Sequence, residues 1–151
     1  MGHRNPIPPE CEIAAGCLAS RVRLLNRLVT NLYDDALRPH DIRVSQMNIL
    51  VVIAVGGPLR AVDVARRLQL DTSTLSRDLK RLLDHGWVRS SPGQGRAKQL
   101  EITAAGRKLL AEAVGDWREA QRKARKLLSP AAADAILGAA DILRGGPRQP
   151  G

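Results

Sequence analysis

Apolar residues recur at helical spacing along most of this chain and give way to a two-residue alternation in one place. Leu18, Val22, Leu25, Val29 and Leu32 form one stripe, with Leu24 and Leu28 as a second flank. They predict a single long helix over residues 10–37, ended by Arg38-Pro39-His40. Residues 42–55 are apolar nearly all round, from Met47 through the run Ile49 to Val55. That run fits a buried strand as well as a helix; the helical approach through Val44 and Met47 decides for a central helix. Gly56-Gly57-Pro58 close it. Val62, Ala65 and Leu68, widened by Val64, predict a short helix, with Leu70 plugging the turn that follows. Leu75, Leu79, Leu82 and Leu83 predict the next helix, with Asp71 or Thr72 as its N-cap and Gly86 as its stop.

The alternation comes next. Trp87-Val88-Arg89 and Gln99–Thr103 suit two strands, separated by SPGQGRAK, whose Pro and two Gly are loop chemistry. Residues 104–128 predict another long helix with Leu109, Leu110, Ala113, Trp117 and Ala120 inward. Ser129-Pro130 start a last helix as cap and first-turn proline, with Ala133, Ile136, Leu137, Ala140 and Leu143 as its stripe. Residues 1–9, with three prolines, read as a flexible arm and 145–151 as a disordered tail.

Helix, tight turn, helix and hairpin in that order make a winged helix-turn-helix. The expected fold is mainly α with a small β-hairpin wing, in one domain. The winged module covers about 42–103, between terminal dimerisation helices at about 10–37 and 104–144. The terminal helices carry more apolar surface than one small domain can cover, and the excess reads as a dimer surface.

The polar face of the helix after Asp71 carries Thr72, Ser73, Thr74, Ser76, Arg77, Lys80 and Arg81, with Asp78 as its only acid. A solvated surface helix mixes the two signs more evenly. Short hydroxyls and an Arg on the leading turns can reach base edges and phosphates from a helix N-terminus. Arg60 precedes the first helix of the pair, and Arg89, Arg96 and Lys98 make the hairpin positive. These ten residues (Arg60, Thr72, Ser73, Thr74, Ser76, Arg77, Lys80, Arg89, Arg96 and Lys98) are the candidate DNA contacts.

The helix pair, LLDHGWVRS and LEITAAGRKLL are similar to the MarR family of winged-helix transcriptional regulators, over residues 12–144. The last motif resembles that family's Leu-Thr-x-x-Gly start to the helix after the wing, with Ile102 in place of the Leu. The resemblance implies that first and last helices interlock two chains, and that a small-molecule effector binds between those helices and the winged module. Asn26, Asn31, Tyr33 and Asn48 are the polar groups on the apolar helices to inspect for such a site. The wing departs from the family's Asp-x-Arg: Gly93-Gln94-Gly95-Arg96 leaves Arg96 without the usual acidic partner.

Composition narrows the partner. The formal charge is +9, which favours duplex DNA ahead of RNA or an anionic membrane. With no Phe, one Tyr and two Trp, the chain lacks stacking platforms for single strands. No apolar run reaches a bilayer-spanning length and no signal pattern opens the chain, so a cytoplasmic protein is expected. His3, His40 and His85 are scattered and show no metal spacing with the cysteines; no cofactor or metal is expected. Neither a Gly-x-Ser-x-Gly nor a phosphate-cradling Gly-Lys-Ser/Thr is present, so no enzyme is expected. The basic run Arg118, Arg122, Lys123, Arg125 and Lys126 reads as a solvated face that also attracts DNA at long range. Cys11 and Cys17 read first as small packing residues and secondly as redox-sensing thiols, as in some relatives in the family resembled. On an intact helix their Cα atoms stand about 9 Å apart along the axis, too far for a disulfide.

The sequence thus predicts a homodimeric regulator that binds double-stranded operator DNA, most simply a repressor released by a small ligand or an oxidant. The rivals are an architectural duplex binder without an effector and a winged-helix protein-interaction module.

Overall fold

The computed structural model describes residues 7–93, 95 and 97–144. Seven helices and one hairpin follow in chain order among them: α1 (Pro9–Gly16), α2 (Leu18–Leu37), α3 (Val44–Gly56), α4 (Ala61–Leu68), α5 (Thr72–Asp84), β1 (Val88–Pro92), β2 (Lys98–Ile102), α6 (Ala104–Leu128) and α7 (Pro130–Leu143). A 3₁₀ turn, Arg38–His40, joins α2 to α3. Most of the arm and all of the tail lie outside the described residues; Pro9 already opens α1.

The single helix expected over 10–37 is two. The chain breaks at Cys17, which is extended (φ −69°, ψ 105°) and precedes α2 as its N-cap. Gly16 is a weak helix former, and α1 buries no residue that would hold the helix together against it. Carbonyls on both sides of the break accept side-chain donors: Arg21 donates to Ala15 O at 2.6 Å and Cys17 O at 3.0 Å, and Ser20 Oγ donates to Cys17 O at 2.9 Å. Cys11 and Cys17 are therefore not separated by unbroken helix, and helical rise does not fix the distance between them. Neither thiol is a buried packing residue, since Cys11 is exposed and Cys17 half-buried.

The run Ile49–Val55 is helical, as its approach indicates, and α3 is the central element. Ile49, Leu50 and Ile53 are fully buried, against Val64 from α4, Leu75 and Leu82 from α5, Val88 and Leu100 from the hairpin, and Leu109 and Ala113 from α6. Val64 and Ala65 are the inward face of α4; Val62, expected to join them, is half exposed. Trp117, expected inward on α6, is likewise 36% exposed. The hairpin pairs Val88 with Ile102 and Pro92 with Lys98 at its two ends. Leu59 adds a two-bond bridge to Leu100, N–H to O at 3.1 and 2.8 Å, which ties the chain before α4 to the wing.

Two junctions fix where α5 and the wing point. Gly86 takes φ +69°, its N–H bonds Leu83 O at 2.9 Å and that of Trp87 bonds Leu82 O at 3.0 Å, a Schellman ending that turns the chain sharply into β1. At the other end of the wing Thr103 caps α6 by accepting from Gly106 N at 3.1 Å and donating to Gly86 O at 2.6 Å. Gly106 lies so close to this junction that a Cβ there would sit 2.3 Å from Trp87 O and 2.8 Å from Ile102 Cγ1. That contact is the physical reason for a glycine in LEITAAGR. Gly106→Ala is expected to cost about 1–3 kcal/mol through the forced shift. Gly115→Ala, in the same helix with nothing within 4 Å, is expected to stabilise by up to about 1 kcal/mol. Urea unfolding of the two variants checks the contrast.

Candidate nucleic-acid interface

Helix α5 presents its polar face because Leu75 and Leu82 are buried against α3, which leaves Thr72, Ser73, Thr74, Ser76, Arg77 and Lys80 exposed. Its N-terminus is organised by Asp71. One carboxylate oxygen accepts from Thr74 N at 2.8 Å and Ser73 Oγ at 2.6 Å, the other from Thr74 Oγ1 at 2.7 Å. The Ser73 hydroxyl above all, then the Thr74 amide and hydroxyl, hold the Asp71 carboxyl far below the ordinary carboxylate range. With their hydroxyl protons committed to Asp71, the Ser73 and Thr74 oxygens remain as acceptors.

The orientation of α5 depends on a residue that the sequence reading missed. Gln46 is the buried polar side chain among the described residues, 5% exposed. Its Oε1 accepts from Arg43 N at 3.1 Å, and its Nε2 donates to Asp78 Oδ1 at 3.2 Å. The one acid among the polar residues of α5 expected to face DNA is thereby turned toward α3. A Gln at the third position of α3 is the capping-box signature that could have flagged half of this arrangement.

Of the candidate cations, some are free and some are held. Among the described residues Arg77 and Lys98 are exposed and make no ion pair. Lys80 pairs with Asp84 at 2.6 Å, and Arg60, the N-cap of α4, pairs with Asp63 at 2.8 Å. Arg89 pairs with Glu101 at 2.7 Å directly across the hairpin, in the register Arg89↔Glu101. These exposed pairs are individually weak and can be exchanged for a phosphate. Arg96 lies outside the described residues. The basic run on α6 is partly neutralised: Glu119 pairs with Arg122 and Lys123, and Arg125 pairs with Asp134 of α7 at 2.7 Å.

The polar residues singled out on the helices fall in different places. Asn31 lines an open, strongly charged cavity of about 470 Å³ with Asp34, Arg38, Asp41, Arg43 and Arg81, between the end of α2 and α5. Tyr33 donates to Gln121 and lines a small apolar cleft of about 110 Å³ between α2, α6 and α7. Asn48 lines a third cavity with Val51, Val55 and Arg67, and Asn26 accepts from Thr30 on the surface. Among the described residues there is no His, Cys, Asp and Glu group fit to hold a metal ion, and no helix is long and apolar enough to cross a membrane.

Known proteins share this arrangement. A family profile described as the MarR family matches residues 40–97. The transcriptional regulator MosR of M. tuberculosis is 30% identical, over 84% of this chain and 95% of its own, with a TM-score of 0.71. MosR has also been solved in complex with DNA, with 81% of this chain and 92% of that one covered at the same identity and TM-score. A mutant MarR from E. coli complexed with operator DNA has the same fold, with a TM-score of 0.74 at 20% identity over 83% of this chain and 91% of its own. Among curated proteins, the regulator YwoH of Bacillus subtilis, itself uncharacterised, is 26% identical over 50% of this chain and 56% of its own length. MarR of Salmonella typhimurium is 29% identical over 59% and 63%. The chain thus spans between about half and two thirds of these curated relatives. The match to MosR along nearly its whole length, on top of a helix pair, hairpin and glycine-started α6 built as described, establishes that the chain belongs to the MarR family of winged helix-turn-helix transcriptional regulators.

Proposed function

We propose that the protein is a cytoplasmic homodimer that binds duplex operator DNA and represses transcription until a small ligand or an oxidant releases it. One observation carries the reading: α5 exposes a hydroxyl-rich N-terminal face with Arg77 unpaired among the described residues, on a module whose 30%-identical relative MosR has been solved with DNA. Helix α5 enters the major groove; Thr72, Ser73, Thr74, Ser76 and Arg77 meet base edges and Lys80 meets phosphate. Lys98, Arg89 and Arg60 contact phosphates, the last two by exchanging Glu101 and Asp63. Arg96 enters the flanking minor groove, where narrow A·T-rich stretches attract Arg. Titrating a duplex pool at several salt concentrations tests this reading against a protein-interaction module. Affinity should fall steeply as salt rises; salt-independent or absent binding refutes it.

Dimerisation is supported by the apolar surface left uncovered in one chain. Leu18, Val22, Leu24 and Leu28 of α2 and Ile136, Leu137, Ile142 and Leu143 of α7 are exposed, Leu143 to 85%. A stable interlocked interface of this kind buries on the order of 2,000–5,000 Å². The charged 470 Å³ cavity beside Asn31, lined by both aspartates and arginines and touching both α2 and α5, is the proposed site of a small polar effector.

The break between α1 and α2 singles out Cys17 for the redox route. Its thiol stands at the N-terminus of α2, and the Ser20 backbone N–H above all, then the Ser20 hydroxyl, lower its pKa below the ordinary thiol value, with Arg21 adding to the effect. A larger thiolate fraction speeds oxidation. Mild peroxide is expected to lower operator affinity reversibly, and Cys17→Ser to remove most of that response while Cys11→Ser does not. Equal operator binding by the wild type before and after oxidation would leave the small ligand as the route of release.

A further inference from the structure

The far end of α5 is held by side chains that the reading face does not use. Asp41, in the left-handed conformation (φ 53°) after the 3₁₀ turn, accepts from Arg81 Nη2 at 2.7 Å. Its other carboxylate oxygen lies 3.0 Å from His85 Nε2, and His85 Nδ1 lies 3.0 Å from Arg81 O. Carbonyl and carboxylate oxygens only accept, so both contacts are hydrogen bonds only when both ring nitrogens carry protons. The neutral ring has one proton and sets a lone pair against an oxygen at one of the two positions. The Trp87 ring lies against the imidazole, 4.3 Å between centroids at 34°, and holds its plane.

The neighbouring charges are engaged elsewhere. Lys80 pairs with Asp84 on α5 itself, His40 pairs with Asp116 of α6 at 2.7 Å, and Arg89 pairs with Glu101 on the hairpin. Arg38 of the 3₁₀ turn pairs with Asp35. Asp41 is therefore the carboxylate that faces the His85 ring, with Arg81 as the cation beside both.

We propose that Asp41 and His85 are a proton-dependent positioning pair for the recognition helix: imidazolium at His85 bridges the C-terminus of α5 to the loop after α2, and loss of the proton loosens that anchor. The inference rests on α5 being the helix that reads DNA. Deprotonation of the ring removes one of its two hydrogen bonds, so the anchor weakens as pH rises. The positioning role concerns α5 as a lever. Its N-terminus carries the reading face, and the C-terminal anchor sets the angle at which that face meets the groove relative to the dimer helices.

The test pairs a spectroscopic and a binding readout. Wild type, His85→Gln and Asp41→Asn are compared from about pH 5.5 to about pH 8, by NMR of the histidine ring nitrogens and backbone amides and by titration with a duplex operator. Asn is tolerated in the left-handed region, and its amide donates to an unprotonated Nε2 as readily as its oxygen accepts from a protonated one. In the wild type the His85 ring and the Asp41 amide should titrate together, and operator affinity should fall with pH by about two- to fivefold more than in either variant, the size expected for exposed charge-assisted contacts. A profile in Asp41→Asn as steep as the wild type would show that His85 acts on DNA only as a distant charge, and would overturn the pair. Independent titration of ring and amide would overturn it too. If no variant binds duplex at any pH, the DNA reading falls, while the NMR titration still decides the pair.

Discussion

Replacing Arg77 by Ala is expected to lower operator affinity by about 1–3 kcal/mol per half-site and to relax base preference at one position of each half-site. Arg77 is the longest donor on the leading turns of α5, is exposed, and has no ion-pair partner among the described residues. Its guanidinium is therefore available to a base edge without first surrendering a contact. Lys80 gives the contrast. It already pairs with Asp84 at 2.6 Å, so a phosphate contact replaces one exposed pair with another. Lys80→Ala should weaken binding evenly across sequences and reduce the salt slope by about 1 per half-site. Titrations of both variants against an operator and its single-position variants separate the two roles. Unchanged affinity and preference in Arg77→Ala would mean that another element reads the bases.

Placing carboxylates on the uncovered helix faces is expected to have a still larger effect. Leu28→Glu and Leu137→Glu put charges at positions that are 43% and 51% exposed in one chain, so the isolated chain tolerates them. In a dimer that covers those faces each charge is buried without a partner, and two-fold symmetry applies the substitution twice. Leaving a charge buried and unpaired costs about 3–5 kcal/mol per site, enough to split the dimer at micromolar concentration. Sedimentation should show wild type at twice the chain mass and the double variant at one chain mass, with unchanged helix content by circular dichroism. A double variant that stays dimeric would place the interface elsewhere.

What was legible in the sequence is what local pattern determines. Asp71 as N-cap, Leu75 and Leu82 as the inward face of α5, the Gly86 stop and the Thr103–Gly106 start of α6 all follow from signals within a turn or two. What was not legible depends on distant partners or on none. The stripe from Leu18 to Leu32 reads as part of one long helix, yet Leu18 and Val22 stay exposed in a single chain, and the chain breaks beside Gly16. Val62 matches helical spacing as well as Val64, and only the placement of α3 decides which is inside. Gln46 is polar in an apolar run and gives no local sign that it reaches Asp78, thirty-two residues away. The pairing of Arg89 with Glu101 requires the hairpin register, which a loop rich in Gly leaves open. The charged cavity beside Asn31 is assembled from α2, the loop at Asp41 and α5, so no contiguous motif announces it.

Two copies of α5, set apart by the terminal helices, are proposed to read two half-sites on one duplex. Selection of bound duplexes from a random pool by the intact protein decides whether they do. The expected product is an inverted repeat whose half-site centres lie about one helical turn, roughly 34–36 Å, apart. Enrichment of a single asymmetric site, or of no sequence at all, would contradict it.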